Sequence, residues 1–299
     1  MWSSDILRTS FIEFRFMARK QVIGLIERLV SEKLSFDDYA KRLEKELSGL
    51  SLDEVKASLL ECGVIPESFG HDSTEEKLYS KYTDILLAKA LNFLGITSHV
   101  VKLRADSADV EGTAQGYTIV ADAKAFRLSR TAKNQKDFKV EALSKWRGAK
   151  DFSCLVCPLY QYPHNTSQIY RQAIDRNVTL FAYIHLVYLL SQKMPHKAAY
   201  KALWLTGKYL KGGKDAATYW RAIDAAVCKV IGTPVEDLER FKQVEIKAMQ
   251  KAAHEEIGFI KKKIQAIKKL SHQEAIKMLV KSEKLDSKIK QIKKISGLK

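Results

Sequence analysis

Two acidic residues and a lysine carry the chemistry of this chain: Asp109, and Asp122 with Lys124 two positions further on. Residues 117–124 are β-prone, and alternate side chains of a strand point to opposite faces, so Val120, Asp122 and Lys124 share one face while Ile119, Ala121 and Ala123 share the other. The carboxylate and the ammonium then stand roughly 6.6 Å apart along the strand. Upstream, Gly112 and Gly116 punctuate a turn, which lets Asp109 and Val110 lie on the preceding strand of a hairpin and brings Asp109 beside Asp122. Asp106 is a rival carboxylate, but it falls in a polar loop. Two carboxylates suit a hard divalent cation such as Mg²⁺, which takes oxygen ligands and keeps several waters, and the carbonyl of Ala123 is a further ligand within reach. The lysine can orient a water or stabilise charge that builds up at phosphorus. Alone, the triad reads more simply as a surface hairpin with an ion pair of little energetic weight.

The basic segment after the triad shifts that balance. Residues 126–139, FRLSRTAKNQKDFK, offer Arg127, Arg130, Lys133, Lys136 and Lys139 to phosphates, and Asn134 and Gln135 are of the types that hydrogen-bond adenine in the major groove. Away from a metal site such a run is usually a solvated face. Beside one that must grip a polyanion, phosphate contact is the better reading.

The composition agrees. The chain has 299 residues and a formal net charge of +16, with a pI near 9.5, which favours a polyanionic partner. The apolar run 178–190 is too short to span a bilayer and contains His185, and the N-terminus lacks a secretory pattern, so a cytoplasmic protein away from membranes is expected. Cys62, Cys154, Cys157 and Cys228 are too few for a disulfide framework, and the C-x-x-C of Cys154 and Cys157 falls in a strand-like run with no second pair. The stretch GKYLKGGK misses the phosphate-loop pattern, because Asp215 stands where Ser or Thr is required.

The elements that must hold the triad can be read from capping and periodicity. Ser35 with Asp38 and Ser51 with Glu54 open helices in an N-terminal helical subdomain, 1–70. Ser73 with Glu76 opens a helix whose stripe is Leu78, Tyr82, Ile85, Leu86 and Ala90, ended by Gly95. Strands are expected at 97–103, 117–124, 154–159 and 178–183, with helices at 137–146, 167–176 and from His185. That alternation makes an α/β core with a mixed sheet flanked by helices, 71–193. Residues 194–299 form a basic helical region, with helix starts at Pro234 and at Ser271 with Glu274.

The run ADAKAFRLSRTAKNQKDFKVEALSKWR, with STEEKLYSKYTDILLAKAL before it and QYPHNTSQIYRQAIDRNVTLFAYIHL after it, resembles the HindIII-type family of type II restriction endonucleases. The matching motif is the PD-(D/E)xK nuclease signature, here Ala108-Asp109 followed by Asp122-Ala123-Lys124, with Ala108 where Pro is usual. The resemblance implies a restriction-endonuclease-like fold and Mg²⁺-dependent cleavage of double-stranded DNA by a homodimer. The target it implies is a short palindrome such as AAGCTT, the products carry 5′-phosphate ends, and a companion methyltransferase protects host DNA. It also implies an additional acid on the preceding helix, for which Glu76 is the candidate and Glu75 the second, although a plain helix cap accounts for Glu76 equally well. The competing readings are a repair or junction-resolving PD-(D/E)xK nuclease and a non-catalytic DNA-binding protein.

Overall fold

The computed structural model describes residues 19–101, 107–130, 135–164, 167–192, 197–210, 215–283 and 285–296. Among the described residues three short amphipathic helices come first: α1 (Arg19–Ser31), α2 (Phe36–Leu47) and α3 (Leu52–Glu61). The Ser35 side chain accepts from the Asp38 amide, and Ser51 with Glu54 closes a complete capping box, so each start satisfies amides that the helix itself cannot. Val22, Ile26, Leu43, Leu47, Val55 and Leu59 form their buried face.

Helix α4 (Thr74–Phe93) begins at Ser73, whose side chain accepts from the Glu76 amide, and ends where Gly95 takes a left-handed φ of 79°. It lies across the first strands of a five-stranded sheet, β1 (Thr97–Val100), β2 (Val110–Ala114) and β3 (Tyr117–Ala123), followed by β4 (Phe152–Cys157) and β5 (Val178–Ala182). The spatial order is β1-β2-β3-β4-β5; the first three strands are antiparallel, and β3, β4 and β5 are parallel. Every residue of β4 and β5 is buried, as expected of parallel strands covered on both faces.

Two side-chain devices fix the antiparallel half. The Asn92 amide clamps Ser98 as a neighbouring strand would, accepting from its amide at 2.9 Å and donating to its carbonyl at 2.8 Å. Gly112 sits within β2 rather than in the turn, where it lets β1 pass close by, since a Cβ there would lie 2.6 Å from Ser98 Oγ; Gly116, at φ 80°, makes the turn.

After β3 the expected helix over 137–146 divides into α5 (Gln135–Phe138) and α6 (Val140–Trp146), since Lys139 between them adopts φ 49°. Helices α7 (Gln168–Asp175) and α8 (Tyr183–Ser191) lead into and out of β5. The short α9 (Lys201–Trp204) and α10 (Thr206–Tyr209) precede α11 (Ala216–Ile231) and the long α12 (Val235–Lys268). A buried chain of polar groups ties α8, α11 and α12. His185 Nδ1 accepts from the Ala182 amide, Nε2 therefore donates to Asp224 at 2.9 Å, and Lys242 donates to the other Asp224 oxygen at 2.6 Å. All four cysteines are free and buried.

The chain divides into two units, Met1–Ala252 and Ala253–Lys299. In the second, α13 (His272–Ser282) starts at a complete Ser271–Glu274 capping box and is followed by α14 (Leu285–Ser296). No residue of α13 is buried.

Candidate active site

The β2–β3 register pairs Val110 with Ala121, so the next residues outward, Asp109 and Asp122, stand side by side. The backbone of Asp109 is itself fixed, its carbonyl accepting from the Val101 amide at 2.8 Å. The face alternation along β3 brings the Lys124 ammonium to 2.6 Å from the Asp122 carboxylate. The Lys124 backbone is tied at both ends, its amide donating to Val156 and its carbonyl accepting from the Tyr183 hydroxyl at 3.1 Å. Asp109, Asp122 and Lys124 are therefore brought together, and Ala123 lies between the last two at the end of β3.

A third carboxylate joins them from helix α4. Ligand oxygens of Asp84, Asp109 and Asp122 all lie within 4.8 Å of one another, with Asp84 and Asp122 buried and Asp109 half-buried. Asp84 lies two helical turns beyond Glu76, roughly 12 Å along the axis, and it rather than Glu76 is the helix-borne acid beside Asp109 and Asp122. Lys81, one turn before Asp84, reaches the Val101 carbonyl at 3.5 Å and counters the negative charge of Asp84 and Asp109.

Three like charges in a buried pocket strain its protonation. Burial, then the charges of Asp109 and Asp122, hold the Asp84 carboxyl well above the usual range. Burial, then Asp122, pushes Asp109 up to about 6. Burial opposes the charge on Lys124, but the carboxylates of Asp122, Asp109 and Asp84 outweigh it and raise that ammonium above its ordinary value. Such a set, hard oxygens held close together against their own repulsion, fits a small divalent cation.

Glu76 has a different setting. Its carboxylate accepts from the Asp72 amide at 2.6 Å and pairs with Arg127, whose other terminal nitrogen donates to the carbonyls of Phe69 and Gly70. Arg127 thus latches the 69–76 segment to the chain leaving β3, with a half-buried guanidinium occupied by protein acceptors. Arg130 pairs with Asp137 and lies 5.5 Å from the Phe126 ring centroid. Lys136, Lys139 and Lys145 line one wall of an open cleft with Trp146, and the Lys139 ammonium sits 5.6 Å from the Trp146 ring centroid. Lys133 and Asn134 lie outside the described residues, as does Asp106, and of Gln135 only the helical backbone is described.

A mixed sheet whose antiparallel-to-parallel strand carries Asp122 and leads into Lys124, with a second acid from the hairpin partner and a third from the helix behind, is the arrangement expected of a nuclease of the PD-(D/E)xK class. Residues 20–296 match the family described as HindIII restriction endonuclease. The chain is 36% identical over 293 residues to the type II restriction enzyme HindIII of Haemophilus influenzae, covering 94% of this chain and 96% of that protein. The chain belongs to the HindIII restriction endonuclease family. Its activity is that of a type II restriction endonuclease, site-specific cleavage of DNA.

Proposed function

We propose that this protein is a Mg²⁺-dependent enzyme that acts as a homodimer in the cytoplasm and cuts both DNA strands at a short palindrome such as AAGCTT. It leaves 5′-phosphate ends, and a companion DNA methyltransferase protects the host. The observation that carries the reading is the convergence of Asp84, Asp109 and Asp122 with Lys124 at the end of β3. These three carboxylates would hold the cation, with the Ala123 carbonyl as a further oxygen. When bound, Mg²⁺ supplies Lewis-acid polarisation of the phosphate and a nucleophile available at neutral pH.

The protein's own residues do the rest. Lys124 is positioned by Asp122 and stays an ammonium, so it donates to a phosphate oxygen and stabilises the charge that develops there rather than acting as a base. Glu76 serves the site from a distance, by holding Arg127 and through it the segment that comes after the catalytic strand. In that segment Arg130, Lys133 and Lys136 meet phosphates, while Asn134 and Gln135 read bases. The helical regions 1–70 and 194–299 flank a nuclease core at 71–193.

The test is digestion of a fully sequenced plasmid with purified protein in Mg²⁺ or EDTA, with every end mapped. Recurrent double-strand breaks at AAGCTT in Mg²⁺ alone are expected. Recurrent breaks at another site would refute the target; nicks confined to branched DNA, or intact DNA under both conditions, would refute the function.

A further inference from the structure

The second unit presents apolar side chains in the wrong place for a chain that stops at its own surface. Along α12, Ala253, Ile257, Ile260, Ile264 and Ile267 recur at alternating steps of four and three, and the four isoleucines are 50%, 38%, 45% and 40% exposed. Leu285, Ile289 and Ile292 repeat the pattern on α14, the last of them 62% exposed, and Ile276 and Leu279 stand out on α13. Soluble proteins rarely leave such a face to water.

We infer that this isoleucine face of the C-terminal helices docks a second copy of the same chain. The spacing is the 3.5-residue repeat by which a helix packs against a like helix, and a two-fold interface needs a patch complementary to itself. The stoichiometry of the reaction points to the same occupant. Among the described residues each chain carries one cluster of three carboxylates with a lysine beside it, while a cut through both strands of a palindrome calls for two. The inference rests on the homodimer proposal and adds the surface that makes the dimer.

Charge separates this occupant from the others. Lys261, Lys262, Lys263, Lys268 and Lys269 flank the α12 stripe, so two copies bring like charges together. Association that buries isoleucine between lysine flanks tightens as salt screens the repulsion, whereas lysine contacts to a polyanion loosen with salt. Isoleucine side chains offer nothing to a phosphate.

The experiment is sedimentation equilibrium of the full-length protein, free of DNA and of metal, across a range of salt. Three proteins are compared: wild type, the double variant Ile260→Asp with Ile264→Asp, and a milder pair, Ile260→Ala with Ile264→Ala. Circular dichroism checks that each is folded. A wild-type dimer that tightens with salt is expected, weakened roughly 100-fold by the aspartates and less by the alanines. A dimer unchanged in the folded variants would overturn the surface and leave the homodimer standing. A wild type that stays monomeric at all concentrations would overturn both. If the aspartates abolish binding to vesicles of phosphatidylglycerol without altering the mass, the face belongs to a membrane surface. If they lower the melting temperature with the dimer intact, it is covered from within its own chain. Either result refutes the inference. Should the aspartate pair not fold, the alanine pair decides by the same mass measurement.

Discussion

Replacing Asp109 by Asn tests whether the carboxylate cluster is held together against its own repulsion. Burial and the Asp122 charge raise the Asp109 carboxyl from 3.8 to about 6. A shift of roughly two units corresponds to about 3 kcal/mol. The sign is set by proton binding. With the folded value above the unfolded one, the folded protein binds more protons between the two, and stability falls as pH rises from 3.8 to about 6. Above that window the whole penalty is present, and below it none.

The amide of Asp109→Asn keeps the shape of the carboxylate and removes its charge, so the metal-free variant should be more stable than wild type at pH 7.5, by at most about 3 kcal/mol. At pH 5 the gain should shrink to about half of that, because much of the wild-type group is already protonated. The assay is urea unfolding in EDTA at both pH values. Magnesium should reverse the order, raising the wild-type midpoint more than that of the variant, since a ligand stabilises only the fold that binds it. A variant less stable than wild type at pH 7.5 without metal, or a gain that does not fall at pH 5, would refute the electrostatic account of the cluster.

Three other perturbations probe the rest of the site. Asp122→Asn should abolish plasmid cleavage while binding to the target duplex, measured by fluorescence anisotropy in EDTA, stays within a few-fold; retained cleavage would remove Asp122 from the site. Arg127→Ala breaks a half-buried pair with Glu76 and leaves the Phe69 and Gly70 carbonyls without their donor, which should cost about 2–4 kcal/mol in urea unfolding; a cost below about 0.5 kcal/mol would mean the latch carries no stability. Lys145→Gln, on the exposed wall of the cleft, should leave the melting temperature unchanged and lower the salt dependence of DNA binding by about one phosphate contact. An unaltered salt slope would take that wall out of the DNA interface.

Much of this architecture is legible from local signals. Capping serines, the alternation along β3 and the turn before it place Asp109, Asp122 and Lys124 together without any long-range information. Asp84 is different. It lies in the buried stripe of α4 between Thr83 and Ile85, and a pattern reader that looks for apolar spacing passes over it. The signal it does leave is that an acid within such a stripe costs energy unless something pairs with it. Glu76 is a candidate acid only through the family resemblance, and at a helix start its carboxylate already has the Asp72 amide to satisfy. Arg127 reads as a phosphate contact from its neighbours in sequence, but its partners come from the 69–76 segment, which only the folded chain brings near. The amphipathic C-terminal helices can be read in the same way, yet periodicity says which face is apolar and not what covers it.

Holding acids together that repel one another asks for rigidity from groups that never touch them. The two acidic strand positions meet because Ala114 pairs with Tyr117, which leaves a tight turn whose conformation Gly116 permits and sets each later pair down to Val110 and Ala121. A slip of one residue would turn Asp109 to the opposite face of the sheet and dissolve the cluster. Gly112 lets β1 approach β2 closely, and Asn92 fastens that strand to the end of α4, the same helix that carries Asp84. The turn, the close strand contact and the amide clamp all act on backbone, so the repulsion among the carboxylates works against a hydrogen-bonded sheet rather than against flexible side chains. A loop could not hold them so, because it would relax by moving the charges apart, whereas here lowering the energy requires protonation or a cation. That places the close approach of the carboxylates in the register of β2 and β3, and makes residues outside the cluster, Gly112 and Asn92 among them, part of what holds it together.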